Sequence, residues 1–271
     1  MASAIHKIDP NGDTIIILRS PANPEYFALW DDSPFDNLDI LGQLPFSMAD
    51  EVLDKSEAAV HQAPSNDFEI MKSEHTIPDT PVGSILYHVS SAHLRMASPV
   101  FRKMLSPDAF REGHRKSDDR YYINADDWEE EVLLLFLNML HLRSRKIPQR
   151  VDLELLAKIG IIVDYYDCGD AVEFFTTSWV YHTCAKNVPF AYSREVLLRL
   201  WVSYVFRDEY GFSAMTHIAI SYCNESAMRT LGLPIPQAVL EGIEHCRTAH
   251  IKERLSRLPG NNPVFIHQIL A

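Results

Sequence analysis

The stretch SPVFRKML, residues 98–105, sets a serine and a proline in front of an apolar run. A serine side chain can accept a hydrogen bond from a backbone N–H one turn ahead, so Ser98 is suited to cap a helix. Pro99 then falls at the first helical position, where its missing N–H costs nothing and its fixed φ suits the helix. Val100, Phe101, Met104 and Leu105 follow at helical spacing as one stripe, with Arg102 and Lys103 left for water. The preceding SSAHLRMA, residues 90–97, repeats the logic: Ser90 or Ser91 is placed to cap a short helix carrying Leu94 and Met96. The stretch therefore reads as two short helices meeting at a capped corner.

Outward from that corner, strands precede and helices follow. DTIIILR, from Asp13, is a short continuous apolar run, as expected of a strand buried on both faces. Prolines at 21 and 24 come just before a short candidate strand, YFALW. DFEIMKSE and SILYHVS alternate like strands and are separated by Pro78, Pro81 and Gly83, which suggests a hairpin whose second strand runs into the corner. RYYINADDW supplies one more strand, Tyr121 to Ile123, after which Asn124 or Asp126 can cap a helix over WEEEVLLLFLNMLHL. That helix starts acidic and ends basic (Arg143, Arg145, Lys146), as the helix dipole favours, with Pro148 as its stop. From there the pattern is helical: DLELLAKIGIIVDYY capped by Asp152, then VEFFTTSWVYHTCA, REVLLRLWVSYVFRD, FSAMTHIAISYCN and QAVLEGIEHCRTAHIKERLSRL. The fold class is α+β, a small sheet with a helical cluster followed by an all-α C-terminal extension.

The chain has 271 residues, 46% of them hydrophobic, which is ample for a real core. Its net charge is −12, and nine acids against Lys55 between Asp31 and Asp67 account for −8 of it, leaving −4 elsewhere. That acidic, proline-broken segment, with one helical stretch around Met48 to Ala59, is expected to be a mobile insertion, read as a plain solvated loop with a docking segment for a basic partner as the alternative, and its charge argues against nucleic acid as the main partner. MASAIHKIDPNGD has no apolar stretch of the kind a signal peptide carries, so none is expected, and the longest apolar run, from Val132, is about half of what a membrane span needs. Cys168, Cys184, Cys223 and Cys246 are scattered, with no CxxC pair, so reduced thiols in a cytoplasmic or nuclear setting are expected, and no metal.

The motifs of catalysis are weak. GFSAM, residues 211–215, misses the GxSxG elbow at its last position and lies in a helical region. Asp118-Asp119 reads as loop charge and Asp126-Asp127 as a helix start. His182 near Cys184, and His245 beside Cys246, sit on helices without a second half to a site. The basic turn HLRSRKIPQR, with Arg143, Arg145, Lys146 and Arg150, lacks the interleaved aromatics that single-strand binding wants. It reads as a helix end and a solvated loop. No cofactor-binding motif is present.

The ordered set, a strand into HLxxxSPVFxxxL, then FxE, a short strand and an LELLA-type helix start, resembles a BTB/POZ domain. The residues that carry it are Leu94, Ser98, Pro99, Val100, Phe101 and Leu105, then Phe110 and Glu112, and downstream Ile123, Asp126, Leu155, Leu156, Ala157, Tyr165, Tyr166 and Cys168. DPNGDTIIILR, DDW, RSRKIP, VDYYDC and LPIP are similar, more narrowly, to BTB proteins of filamentous fungi. The domain-type match spans roughly residues 8 to 185, and the fungal-type match reaches about residue 258. The chain departs from the pattern at Ser90, where many members carry histidine, and in its acidic insertion.

The resemblance implies a N-terminal strand region at 1–30, the insertion at 31–66, a BTB/POZ-like core at 67–185, the helical extension at 186–258 and a tail at 259–271. It implies a non-enzymatic protein-interaction module that self-associates. One specific version is an adaptor for a cullin-type ubiquitin ligase, in which Phe110 of a φ-x-E motif fills a pocket on the cullin and Glu112 holds the loop or pairs with a base. In the bland alternative Phe110 closes the domain's own core. A second function class is a chromatin-associated BTB regulator that borrows its DNA-binding module from a partner. An unrecognised enzyme is the residual class. The helix containing LWVSYVF is apolar on nearly all sides and is expected to dock on the first domain.

Overall fold

Ile15, Ile16, Ile17 and Leu18 leave no polar side for water, and strand β2 (Thr14–Leu18) is buried along its whole length. The computed structural model of the chain describes residues 4–23, 27–29, 83–107, 110–184, 188–224 and 228–257. The acidic segment 31–66, the expected strand DFEIMKSE and the tail 259–271 lie outside those residues. The architecture is mixed, with a four-stranded sheet and, among the described residues, eight α-helices. The strands β1 (Ile5–Lys7), β2, β3 (Ile85–Val89) and β4 (Tyr121–Ala125) lie in the order β1-β3-β2-β4. β2 runs antiparallel to β3 and parallel to β4, with Ile16 opposite Tyr87 and Ile123, while β1 runs parallel to β3.

Alternation along these strands divides the sheet's apolar residues between two faces. Ile16, Leu18, Tyr87, Val89 and Ile123 join the main core with the helices. Ile15, Ile17 and Leu86 form a smaller cluster with Ile5 and Tyr122. Two sequence expectations change here. Both edges of β3 are taken, by β1 and β2, so a hairpin partner from the segment before it has no free edge over Leu86–His88. The described part of YFALW, Phe27–Leu29, is a turn, with Ala28 at φ 46°.

β3 runs directly into α1 (Ser91–Ala97), which turns at Ser98 into α2 (Pro99–Met104). Ser98 accepts the Phe101 N–H at 3.0 Å, as an N-cap serine should, and Pro99 occupies the first helical position. Its hydroxyl also donates to the main-chain carbonyl of Tyr166, the C-cap of α4 (Leu153–Tyr165). The Phe101 and Tyr166 rings stack with centroids 4.2 Å apart. Leu94, Phe101 and Leu105 are buried, Val100 and Met104 are half-buried, and Met96 is 76% exposed, so α1 has one buried apolar anchor rather than two.

α3 (Glu130–Leu140) begins later and ends earlier than its sequence suggests. Asn124 belongs to β4, and Asp126 and Asp127 form a turn in which Asp127 takes φ 61°, so neither Asn124 nor Asp126 caps it; Glu129 is the N-cap residue, without a side-chain bond. The helix stops at Leu140, ahead of Pro148, with Leu142 at φ 53° and a 3-10 turn over Ser144–Lys146. Asp152 does cap α4, accepting the Leu155 N–H at 2.8 Å.

α5 (Gly169–Cys184), α6 (Arg194–Val205), α7 (Glu209–Tyr222) and α8 (Gln237–Ser256) complete the chain's described helices. By their contacts α6 and α4 belong to one unit with the sheet. Gly160 of α4 allows their close approach: a Cβ there would lie 3.0 Å from the Trp201 indole nitrogen, which donates to the Ala157 carbonyl at 3.1 Å. Trp201 is fully buried, whereas Tyr204 is exposed and Val205 and Phe206 half-buried, so α6 is less enclosed at its C-terminal end than LWVSYVF suggests.

Two serine- and aspartate-capped helices allow a comparison. Asp152→Ala, at an exposed cap, should cost about 1 kcal/mol. Ser98→Ala removes the partner of the Phe101 N–H and of the Tyr166 carbonyl in a buried site, and should cost about 2–3 kcal/mol. Urea denaturation of the full chain measures both; equal losses would show that the bond to Tyr166 contributes nothing.

Candidate protein-interaction surface

The corner made by α1 and α2 is fastened to the sheet by groups distant in sequence. The Asp13 carboxylate, at the start of β2, accepts the Ser91 N–H at 2.8 Å and the Ser91 hydroxyl at 2.8 Å, and Arg115 pairs with it at 2.9 Å. The first turn of α1 is thus capped by a residue 78 positions upstream. Ser90 makes no side-chain cap bond, and Ser91 serves as a donor. Burial alone would raise the Asp13 pKa, but the bonds from Ser91 and the Arg115 charge outweigh it and hold the carboxyl below the ordinary range.

A second clamp comes from the end of α3. The Ser90 N–H donates to Nε2 of His141 at 2.9 Å, and Nδ1 of the same ring lies 2.8 Å from the Leu137 carbonyl. Nε2 as acceptor requires the proton on Nδ1, which donates to Leu137, so the bound ring is neutral. His93 stacks on it at 4.8 Å between centroids. Burial, with His93 and Arg143 nearby, holds the His141 pKa below the ordinary imidazole range, against the Leu137 bond and the Asp9 charge.

On the outside of this corner the FxE residues come together. A 3-10 turn spans Arg111–Gly113, with Phe110 immediately before it. Gly113 is held against Ser106, whose carbonyl oxygen would lie 2.1 Å from any added Cβ, so only glycine fits there. Phe110 is 46% exposed, with the Lys103 ammonium of α2 6.0 Å from its ring centroid, and Glu112 is half-buried. Phe110 therefore does not close the core. Met96 and Pro99 are exposed on the same two-helix corner.

The other sequence candidates are scattered. Gly211 to Met215 lies inside α7, which follows α6 and not a strand. Asp118 accepts the Tyr122 hydroxyl at 2.6 Å and Asp119 pairs with Arg115 at 3.0 Å, so these neighbours face separate partners. His182 is exposed, and burial pushes the Cys184 thiol up to about 11. Cys168, buried and beside Asp167, is pushed up to about 12, so both thiols stay protonated at neutral pH. His245 and Cys246 are exposed on α8. Arg143 donates to the Lys7 carbonyl at 3.2 Å, while Arg145, Lys146 and Arg150 are exposed. Among the described residues no three His, Cys, Asp or Glu side chains converge to hold a metal, and no helix is long and apolar enough to cross a membrane.

Sequence reasoning missed one large feature, a groove of about 900 Å³ walled by the end of α4, by α5 and by the α6–α7 corner. Four segments build it, so no contiguous pattern announces it; the acids of DYYDCGD, residues 164–170, were the available signal. No family model matches the chain, and no curated protein matches it.

The His141 clamp gives a pH dependence. A histidine held neutral in the folded chain binds a proton more readily when unfolded, so stability is intact above the unfolded value of 6.5 and falls as pH drops through it. Burial holds His88 low as well and adds the same sign. Urea midpoints should therefore fall between about pH 7.5 and about pH 5.5. His141→Gln should be less stable at the higher pH and show a shallower decline; an unchanged slope would remove the clamp from the account.

Proposed function

We propose that the chain is a BTB/POZ-like protein-interaction module of the cytoplasm or nucleus that self-associates and serves as an adaptor for a cullin-type ubiquitin ligase. What supports the reading is an order of elements: two antiparallel neighbours, β2 and β3, a two-helix corner leaving β3, then β4 parallel to β2 and a helical cluster beneath. The observation that carries it is Phe110. A phenylalanine costs stability when left in water, and burying one is worth about 1.5–3 kcal/mol. Here it stands half in solvent, two residues from Glu112, on a turn pinned by Gly113. An aromatic ring presented by a fixed turn is suited to fill a partner's apolar pocket, with Glu112 placed to hold the turn or meet a base.

In this role the corner supplies recognition and performs no chemistry. Its residues Leu94, Ser98, Phe101 and Leu105 are structural: they fix α1 and α2 against the sheet and α4, so the surface is formed before a partner arrives and little ordering entropy is lost on binding.

A purified filamentous-fungal cullin should be retained by the immobilised chain, and Phe110→Ala should weaken retention about thirtyfold, as loss of an interface anchor does. The same variant should leave the thermal midpoint unchanged because Phe110 is exposed. Retention indifferent to Phe110→Ala would remove the cullin role. Light scattering on the chain alone should return the mass of a dimer.

A further inference from the structure

We propose that the groove walled by the C-terminal end of α4, by α5 and by the α6–α7 corner docks a basic amphipathic helix of about four turns, supplied by a partner protein. This inference stands apart from the cullin reading, since it uses none of the residues of the α1–α2 corner.

The groove's length and shape come first. On α5, Asp170, Glu173, Thr177, Val180 and Cys184 recur at intervals of three and four along one face of the helix. From Asp170 to Cys184 that stripe is about 21 Å long at 1.5 Å per residue, the length of a helix of about four turns. Across from it, Ala214 of α7 has little side chain to stand in the way, while the space beside Gly211 is taken by the Asp208 carboxylate. With Val163, Val180 and Met215, Ala214 makes an apolar floor. With an apolar base and a wall of that length, such a groove accepts a helix that presents residues at i, i+3, i+4 and i+7.

The charge is one-sided and heaviest at one end. Asp164, Asp167, Asp170 and Glu173 stand around the mouth where α4 ends and α5 begins. Arg207 is the basic residue lining the groove, and it is already 3.6 Å from Asp170. Among the described residues no base reaches ion-pair distance of Asp164 or Asp167. Asp164 occupies the last turn of α4, where the helix dipole is negative and an acid is disfavoured. Burial and the Asp167 charge accordingly raise the Asp164 pKa. The far end carries less free charge: Tyr181, Cys184 and Val188 line it, and Asp208, whose charge reaches Cys184, is engaged in capping α7 by accepting the Gly211 N–H at 3.1 Å. The charge pattern asks for lysines or arginines at one end of the ligand helix and apolar residues toward the other.

The probe is a fluorescein-labelled 16-residue helical peptide of leucine, alanine and lysine, with a leucine stripe and the lysines gathered in its last turns, and its glutamate counterpart is the control. Fluorescence anisotropy with the full chain should show saturable binding of the lysine peptide, weakened by added salt, and none of the glutamate peptide. Asp164→Asn with Asp167→Asn should weaken binding about fivefold, the effect of losing two exposed ion pairs. Those substitutions relieve repulsion, so the thermal midpoint should hold or rise. Thr177→Trp, on the exposed face of α5, should block the trough and abolish binding. Binding untouched by both variants would place the peptide on acidic surface elsewhere and overturn the proposal, as would absent binding or equal binding of the glutamate peptide. A self-association lost on Thr177→Trp, seen by light scattering without peptide, would assign the groove to a second copy of the chain and overturn it too.

Discussion

One hydroxyl group joins two helix ends. Ser98 sits where the amide end of α2 meets the carbonyl end of α4, and its side chain accepts from Phe101 while donating to Tyr166. Helix ends carry unsatisfied backbone groups, and a buried one must find a partner or cost about 1–3 kcal/mol. Ser98 has no exposed surface, so water cannot substitute. Pro99 complements this arrangement, because it removes one amide that would otherwise also need a partner. The stacked rings of Phe101 and Tyr166 then fill the space around the junction, and Phe136 extends the stack with its ring 5.7 Å from Tyr166. The direction in which α2 leaves the corner follows from that fixed point.

The same reasoning accounts for the other side of the corner. α1 is seven residues long, too short to be stable by itself, and it has Leu94 as its fully buried apolar anchor. Its position is set by polar groups from elsewhere, Asp13 on the β2 turn and His141 beyond α3. Each satisfies an amide that the short helix leaves open, and each ties the corner to a larger element. The corner is therefore rigid in proportion to the sheet and α3 behind it. This is how a turn as small as Arg111–Gly113 can hold an exposed aromatic ring in one place.

What could be read from sequence divides along the same line. Caps that act within one turn, Ser98 on α2 and Asp152 on α4, are written in adjacent residues and were legible. So was the doubly buried β2, because four aliphatic residues in a row admit few other placements. Asp13 was not legible as a cap for α1, since the rule that points to Ser90 or Ser91 looks only at neighbours in the chain. β1 was missed for a related reason: Ile5–Lys7 is three residues with one aliphatic side chain, and it is a strand because β3 offers it an edge. α3 misled at both ends because Asp127 and Leu142 adopt positive φ, which ends regular structure without proline or glycine. Phe110 could be read either way, as core or as contact, and only its position relative to Gly113 and Ser106 places it outside.

The last turn of α4 connects these features. Tyr166 closes it and receives the Ser98 hydroxyl, while Asp164 and Asp167, on either side of that residue, face the groove. Ser98 relieves one carbonyl of the negative helix end, yet the two aspartates add charge back to the same place. A chain selected for stability alone would set a lysine or arginine there, as helix C-termini favour. Elsewhere it does balance its charges: Lys158 lies between Glu129 and Glu154 at 2.9 and 3.1 Å, and Glu154 also holds Arg194 at 2.8 Å. The unbalanced end of α4 thus stands out against well-paired charges on the same helix. Its cost falls on a turn anchored by Ser98 and by the Phe101–Tyr166 stack, which can bear repulsion without losing its geometry.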